Sequence, residues 1–90
     1  MTAPLPLGRV VATPAALETI FEAGGDPLCY LARHATGDWG DLCEFDRREN
    51  ERSLRYGRRV LSSYAVGEGR VWIITEADRS VTTILLPEEY

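Results

Sequence analysis

Apolar residues recur at helical spacing in two stretches of the front half of the chain. The first stretch follows Thr13-Pro14, the second follows Asp26-Pro27, and each is closed by glycine. Threonine or aspartate before proline is a typical helix start, because the side-chain oxygen accepts from a free amide and proline fits the first helical position. Two short amphipathic helices are therefore predicted. Their apolar positions are Ala16, Leu17, Ile20 and Phe21 in the first, and Leu28, Leu31, Ala32 and Ala35 in the second.

The back half of the chain is rich in the β-branched and aromatic residues that favour strands. Three such stretches are separated by short loops of glycine and acidic residues, which are typical of β-hairpins. They predict a three-stranded antiparallel meander. A shorter apolar stretch near the N terminus predicts one more strand. The predicted strands cover residues 8–12, 59–66, 70–75 and 80–86.

The segment 36–59 is the most charged part of the chain and holds six acids and six arginines. Asp41 followed by Glu44 is typical of a capping box, so a third helix is predicted over residues 42–56. Its acids concentrate toward the start and its arginines toward the end, as the helix dipole favours. Few of its residues are apolar, which predicts that much of this helix faces water or another molecule.

A chain of 90 residues forms one small core and therefore one domain. We predict a single α+β domain over residues 1–90, with a short N-terminal strand, three helices and the three-stranded antiparallel β-meander. Pro4 and Pro6 predict an extended lead-in over residues 1–7. Pro87 predicts the end of the last strand and an acidic tail over residues 87–90.

The two inner strands of the predicted meander are apolar on both faces. An antiparallel sheet with helices on one side needs only one apolar face. The second face is therefore predicted to be covered by helices, to meet a partner, or to leave a few large apolar side chains in water, as is normal for small domains. A homodimer would bury this face across a two-fold axis. The residues assigned to this face are Trp72, Ile74, Ile84 and Leu86.

The net charge is −4, and every basic residue is an arginine. An acidic balance disfavours a nucleic-acid partner, because proteins that neutralise phosphates usually carry a basic excess. Arginine suits bidentate ion pairs and protein interfaces. No apolar run is long enough for a bilayer, and no signal peptide is recognised at the start, so we expect a cytoplasmic protein without a membrane partner.

Residues with the chemistry of catalysis or metal binding are few. His34 is the only histidine, and a metal site of Cys29, His34 and Cys43 would have no fourth ligand at a suitable spacing. Four acids near the third helix could gather a hard cation, although they lack the glycine and later glutamate of an EF-hand loop. We therefore predict no catalytic residue, no cofactor and no metal. Both cysteines are predicted to be reduced thiols, at least one of them buried.

Trp39 lies between two Gly/Asp pairs and allows two interpretations. Buried, it would pack over the junction before the third helix. Exposed, it would anchor an interface, since tryptophan and arginine are frequent among the residues that dominate binding energy. The residues that we assign to a possible interaction surface are Trp39, Asp41, Arg47, Arg48, Arg52, Arg55, Trp72 and Ile74.

The segments GDWGDLCEFDRRENER and RVWIITEADRSVTTILLPEEY resemble a family of short proteins encoded on bacterial plasmids and integrated mobile elements. The resemblance begins near Leu7. Members are commonly labelled "plasmid-related protein" or "type I restriction endonuclease subunit M". Ninety residues without a glycine-rich cofactor loop do not supply a methyltransferase subunit. The resemblance implies a bacterial cytoplasm and dealings with host defence or regulatory machinery, and it implies no catalytic residues.

Three functional hypotheses follow. The leading one is a small non-enzymatic protein-interaction module of a mobile element, an accessory or inhibitor of host machinery. The second is a nucleic-acid-associated regulator that uses arginines of the third helix as a basic face. The third is a small hydrolase or toxin that uses Asp or Arg side chains, for which the sequence shows only unassembled ingredients.

Overall fold

Residues 4–90, the part of the chain that this computed structural model describes, form three helices and a four-stranded mixed sheet. The predicted α+β class is confirmed. The predicted lead-in lies partly outside the described residues, and residues 4–7 have no regular secondary structure. The elements are β1 (Arg9–Ala12), α1 (Pro14–Glu22), α2 (Pro27–Ala35), α3 (Glu44–Tyr56), β2 (Val60–Val66), β3 (Gly69–Thr75), β4 (Val81–Leu85) and a C-terminal 3₁₀ turn (Pro87–Glu89).

The first two helices begin where the sequence predicts. The Thr13 hydroxyl oxygen accepts a hydrogen bond from the Ala16 backbone N–H at 3.1 Å. The Asp26 carboxylate accepts one from the Leu28 N–H at 2.9 Å. Caps of this kind stabilise a helix start by about 1 kcal/mol. Local sequence therefore determines where α1 and α2 begin.

The strand order in the sheet is β1-β4-β3-β2. Neighbours among β2, β3 and β4 are antiparallel, whereas β1 pairs in parallel with β4, with Arg9 opposite Val81. The predicted antiparallel meander is therefore present in β2, β3 and β4, but it is part of a four-stranded mixed sheet. β1 adds a fourth strand to the three strands formed by the C-terminal half of the chain. No helix among residues 4–90 is long and apolar enough to cross a membrane.

α1 packs on one face of the sheet, and the main core lies between them. Ile73 of β3 and Ile84 of β4 are opposite each other in the sheet register, and both are almost fully buried on this face. A second, smaller cluster of Leu5, Trp39 and Val60 lies beside the main core. The main core consists of Ala16, Ile20, Leu31, Tyr64, Val66, Val71, Ile73 and Ile84.

The register corrects the predicted second face of the sheet. Trp72 lies opposite Leu85, and Ile74 lies opposite Thr83. Ile84 belongs to the helix-covered face, and Leu86 packs against the same core. The predicted set of four residues therefore mixes the two faces, because the prediction assigned β4 to the sheet one residue out of register with β3. A one-residue slip of this kind exchanges the faces of every side chain in a strand.

The C-terminal residues fold back over the second face. The Tyr90 ring packs edge-on against Trp72, with 5.6 Å between ring centroids, and its hydroxyl accepts a hydrogen bond from Arg59 at 2.6 Å. The Glu89 carboxylate accepts from the Thr13 hydroxyl at 2.7 Å and from the Leu86 N–H at 2.8 Å. The predicted acidic tail is thus an ordered turn. It covers part of the second face, at Trp72.

The two edges of the sheet differ. The outer edge of β2 is occupied by the segment before α3, since Ser63 donates to the Trp39 carbonyl at 3.0 Å and accepts from the Asp41 N–H at 2.7 Å. The outer edge of β1 has no neighbouring strand in the described sheet, and Val10 is 43% exposed. A short strand of four residues limits the pairing that such an open edge can offer.

Candidate functional site

α3 is attached to the sheet by polar contacts rather than by an apolar stripe. The Asn50 side chain donates to the Leu61 carbonyl at 2.6 Å and accepts from the Leu61 N–H at 3.0 Å. Asn50 therefore takes the place of a neighbouring strand at this position of the β2 edge. Near the other end of the helix, the Arg79 guanidinium donates to the Ser53 carbonyl at 2.9 Å. Asn50 and Ser53 are the only residues of α3 that are buried.

The start of α3 differs from the prediction. The helix begins at Glu44, and its N-cap residue Cys43 makes no side-chain capping hydrogen bond. Asp41 does not form the predicted capping box, because its backbone pairs with Ser63 and its carboxylate accepts from Arg70 at 3.3 Å. Asp41 therefore pairs with the edge of β2 and does not cap α3.

Arg47 closes the loop that precedes α3. Its guanidinium donates to the Gly40 carbonyl at 2.9 Å and to the Leu42 carbonyl at 3.2 Å. Arg47 was assigned to the interaction surface, and its donors are directed instead toward the protein's own backbone. The loop receives further support from Tyr64, whose hydroxyl donates to the Asp38 carbonyl at 2.6 Å.

The outward face of α3 presents aromatic and charged side chains to solvent. Phe45 is 69% exposed and Tyr56 is 64% exposed. Phe45, Arg52 and Tyr56 are seven and four residues apart, so they follow one side of the helix. Large exposed aromatic side chains beside arginine are the residue types that most often dominate binding energy at protein interfaces. We name this surface, formed by Phe45, Arg48, Glu51, Arg52, Arg55 and Tyr56, the outer face of α3.

The charged residues of this helix are mixed rather than separated by sign. Arg48 pairs with Glu44 at 2.9 Å and Arg52 pairs with Glu49 at 3.1 Å, both in exposed positions. Arg55 makes no ion pair within residues 4–90. Exposed pairs contribute little to stability, because water screens them and long side chains lose entropy. They can therefore be exchanged for other partners at small cost.

A shallow cleft of about 350 Å³ lies on the outer face of α3. Arg48, Glu51, Arg52, Arg55 and Tyr56 line it. Three guanidinium groups thus surround one carboxylate and one aromatic ring. The cleft has the chemistry to receive an anionic group together with an apolar one.

Other predicted interaction residues lie elsewhere. Trp39 is 8% exposed and packs in the second core cluster, so the interpretation with an exposed tryptophan is wrong. Ile74 is 5% exposed, and Trp72 is half-buried against Tyr90. Of the eight residues assigned from sequence, Arg48, Arg52 and Arg55 are brought together in the cleft.

A larger cleft of about 430 Å³ lies between the N-terminal segment and the end of α2. Its walls are mostly apolar and include Leu5, Trp39 and Leu54. The guanidinium of Arg79 also borders it but donates to the carbonyls of Ser53, Arg58 and Glu76. Leu54, which is 45% exposed, is the residue that α3 contributes to the lining of this cleft.

His34 lies at the centre of a buried chain of hydrogen bonds. Its Nδ1 lies 2.5 Å from Ser62 Oγ, and its Nε2 lies 2.8 Å from Thr75 Oγ1. Thr75 Oγ1 lies 2.7 Å from Thr82 Oγ1, which donates to the Leu7 carbonyl at 2.7 Å. The chain joins α2 to three strands and to the N-terminal segment.

The direction of each hydrogen bond follows from this order. Thr82 gives its one hydroxyl proton to the Leu7 carbonyl, so Thr75 must donate to Thr82. Thr75 then has no proton left for His34, and Nε2 of His34 must carry the proton that Thr75 accepts. Nδ1 of the neutral ring accepts the proton of Ser62.

A serine that donates to a histidine is an ingredient of nucleophilic catalysis. Here His34, Ser62 and Thr75 are all completely buried, so no substrate carbonyl can approach Ser62. Burial lowers the pKa of His34 to about 4, which keeps the ring neutral near pH 7. We interpret this group as a structural network that satisfies polar groups inside the core.

The two cysteines are free and exposed, so the prediction that at least one is buried is wrong. The thiol of Cys43 donates to the Asp46 carboxylate at 3.3 Å. Both ring nitrogens of His34 are occupied by Ser62 and Thr75, so neither cysteine pairs with it. Within residues 4–90, no group of three or more His, Cys, Asp or Glu side chains is placed to hold a metal ion.

Sequence reasoning missed several of these contacts. Asn50 gave no signal, because an asparagine inside a charged helix looks like one more polar residue. Ser62, Thr75 and Thr82 lie within the predicted strands, where serine and threonine are common on the exposed face. Their positions on the helix-covered face, where apolar residues are expected, were the one signal that could have indicated a buried polar network.

Comparison of the chain with models of protein families, with curated proteins and with solved structures finds no match.

Proposed function

We propose that this chain is a small non-enzymatic protein-interaction module that binds a protein partner through the outer face of α3. The observation that carries this proposal is the exposure of Phe45 and Tyr56 on a helix whose buried residues are the polar Asn50 and Ser53. A helix used only as a structural element normally buries an apolar stripe. α3 instead keeps its large apolar side chains in solvent.

The resemblance to plasmid- and mobile-element-encoded proteins supplies the context of the proposal. It suggests a protein of the bacterial cytoplasm, acting as an accessory or inhibitor of host defence or regulatory machinery. The partner would then be a protein of the host or of the element itself.

The nucleic-acid alternative has weaker support. α3 ends at Tyr56, so Arg59 does not extend a row of arginines along the helix. Arg59 pairs instead with Glu76 at 3.1 Å, and Arg47 donates to loop carbonyls. With a net charge of −4 and glutamates on the same helix, the remaining arginines make a poor phosphate-binding face. The third alternative, a small hydrolase or toxin that uses Asp or Arg side chains, gains no specific support, because the exposed Asp38 and Asp41 carboxylates pair with Arg33 and Arg70.

The proposal is tested by photo-crosslinking in bacterial cells. Benzoylphenylalanine at position 45 or 56 replaces one aromatic side chain by another, so the fold is retained. Phe21 of α1 is 59% exposed and provides a matched control position. We expect discrete protein adducts from positions 45 and 56 that are missing from position 21. Equal adduct patterns at all three positions, or none, would contradict the proposal.

A further inference from the structure

The side chains that line the cleft on the outer face of α3 carry more positive than negative charges, although the chain as a whole is acidic. Three arginines and one glutamate line it, whereas the chain as a whole carries a net charge of −4. Arg48 and Arg55 are seven residues apart on the helix, which places them about 10 Å apart along its axis. The guanidinium groups therefore form a short cationic row and not a single point of charge.

We propose that this cleft binds an acidic segment of the partner protein, with carboxylate side chains on Arg52 and Arg55 and an apolar side chain on Tyr56. This inference rests on the proposed function and names the chemistry of its partner. A guanidinium pairs with a carboxylate through two parallel hydrogen bonds, which gives the contact direction as well as energy.

The existing ion pairs do not prevent this binding. Glu49 holds Arg52 at 3.1 Å, but both side chains are exposed, so a partner carboxylate replaces an equivalent one. Arg55 makes no ion pair within the described part of the chain and gains a partner outright. Charge attraction between exposed groups at an interface acts mainly on the association rate and on the specificity of binding.

An acidic protein segment fits this cleft better than nucleic acid does. A duplex carries a continuous line of phosphates, which would also lie against Glu44, Glu49 and Glu51. An acidic segment can place its few carboxylates at the arginines and its apolar residues elsewhere. The aromatic ring of Tyr56 in the cleft wall also favours a partner with an apolar side chain.

The test selects phage-displayed random peptides of about 12 residues on the wild-type protein, enough to form a short helix or strand. We expect the selected peptides to be rich in Asp and Glu with at least one large apolar residue. The double variant Arg52→Glu/Arg55→Glu should weaken their binding by about tenfold or more, and salt should weaken binding to the wild type. Arg9→Glu, a charge reversal on exposed β1, should leave binding within about twofold of wild type.

The outcomes separate this inference from the proposed function. Peptides whose binding is lost with Phe45→Ala but unchanged with Arg52→Glu/Arg55→Glu would overturn the acidic partner and leave the interaction surface in place. Peptides that bind every α3 variant as tightly as they bind the wild type would overturn both the acidic partner and the interaction surface. A fluorescent DNA duplex that binds the wild type and is released by the double variant would overturn the acidic partner in favour of nucleic acid. Circular dichroism verifies that each variant is folded.

Discussion

At the scale of single residues, the proton order around His34 has a consequence for stability. The neutral ring donates from Nε2 and accepts at Nδ1, so both ring nitrogens are matched to their neighbours Thr75 and Ser62. A second proton, on Nδ1, would face the Ser62 hydroxyl, whose own proton already points at this nitrogen. Burial opposes the charged form of the ring and lowers the pKa of His34 to about 4.

This network predicts that the protein loses stability as the pH falls from about 6.5 to about 4. In that window the unfolded chain binds a proton on His34 and the folded chain does not, so the free energy of unfolding decreases by about 3 kcal/mol. Urea denaturation across this range measures the effect. Nuclear magnetic resonance of the imidazole checks the cause, and a ring that titrates near its ordinary pKa would contradict the prediction. In His34→Gln the part of the pH dependence due to the ring should disappear.

Gly40 and Gly37 provide a second test at this scale. Both have positive φ, at 73° and 90°, but a Cβ on Gly40 would overlap the Ser63 carbonyl, whereas one on Gly37 would meet open space. Alanine at either position must adopt the left-handed backbone conformation, which costs about 1 kcal/mol. We expect Gly40→Ala to cost about 1–3 kcal/mol more, because the edge of β2 must move. Equal urea midpoints for the two variants would show that the loop yields without cost.

At the scale of elements, the attachment of α3 depends on Asn50. Asn50→Ala leaves the N–H and carbonyl of Leu61 without their partner, and we expect a loss of about 1–2 kcal/mol in the free energy of unfolding. Glu51→Ala, on the exposed side of the same helix, should change it by less than about 0.5 kcal/mol. Hydrogen exchange at the Leu61 amide should accelerate in Asn50→Ala alone. An unchanged exchange rate would mean that other contacts hold the helix.

The elements differ in how far the sequence predicts them. Thr13 and Asp26 cap their helices through neighbours two or three residues away, so local sequence was sufficient there. Asp41 has a local partner in Glu44 and a distant one in the β2 edge, and the distant one prevails. The pairing of β1 with β4 has no local signal at all, since the partners come from opposite ends of the chain.

The candidate site follows the same rule. The arginines of α3 were assigned from their number and spacing, and three of them share the cleft. Trp39 was ambiguous because local sequence does not show which side chains will enclose it. The exposure of Phe45 and Tyr56 depends on how α3 docks, and that is decided by Asn50 at a strand edge.

At the scale of the whole molecule, the second face of the sheet bears on self-association. The homodimer stays a prediction, but its proposed surface changes, because Tyr90 packs on Trp72 and Ile84 lies on the opposite face. The residues near Tyr90 are covered by the protein itself. A second copy would have to displace the C-terminal turn or bind beside it.

We therefore expect Tyr90→Ala to increase self-association relative to wild type. Removing the ring uncovers the edge of Trp72, and exposed apolar surface favours association by about 25 cal/mol per Å². Light scattering over a range of protein concentrations measures the mass, and Glu88→Ala, an exposed position in the same turn, is the control. Identical masses for Tyr90→Ala and wild type would show that the Tyr90 ring does not limit self-association through this face.

The parallel pairing of β1 with β4 also has a consequence for synthesis. During translation β1 leaves the ribosome before the other strands of the sheet, and its partner β4, from Val81 to Leu85, leaves after them. Until then β1 has no strand beside it, and α1 lacks Ile84 beneath it. Contacts between such distant segments slow folding, because the intervening chain must first be ordered. A nascent chain halted before residue 81 should therefore remain sensitive to protease, because β1 still lacks β4, the strand with which it pairs.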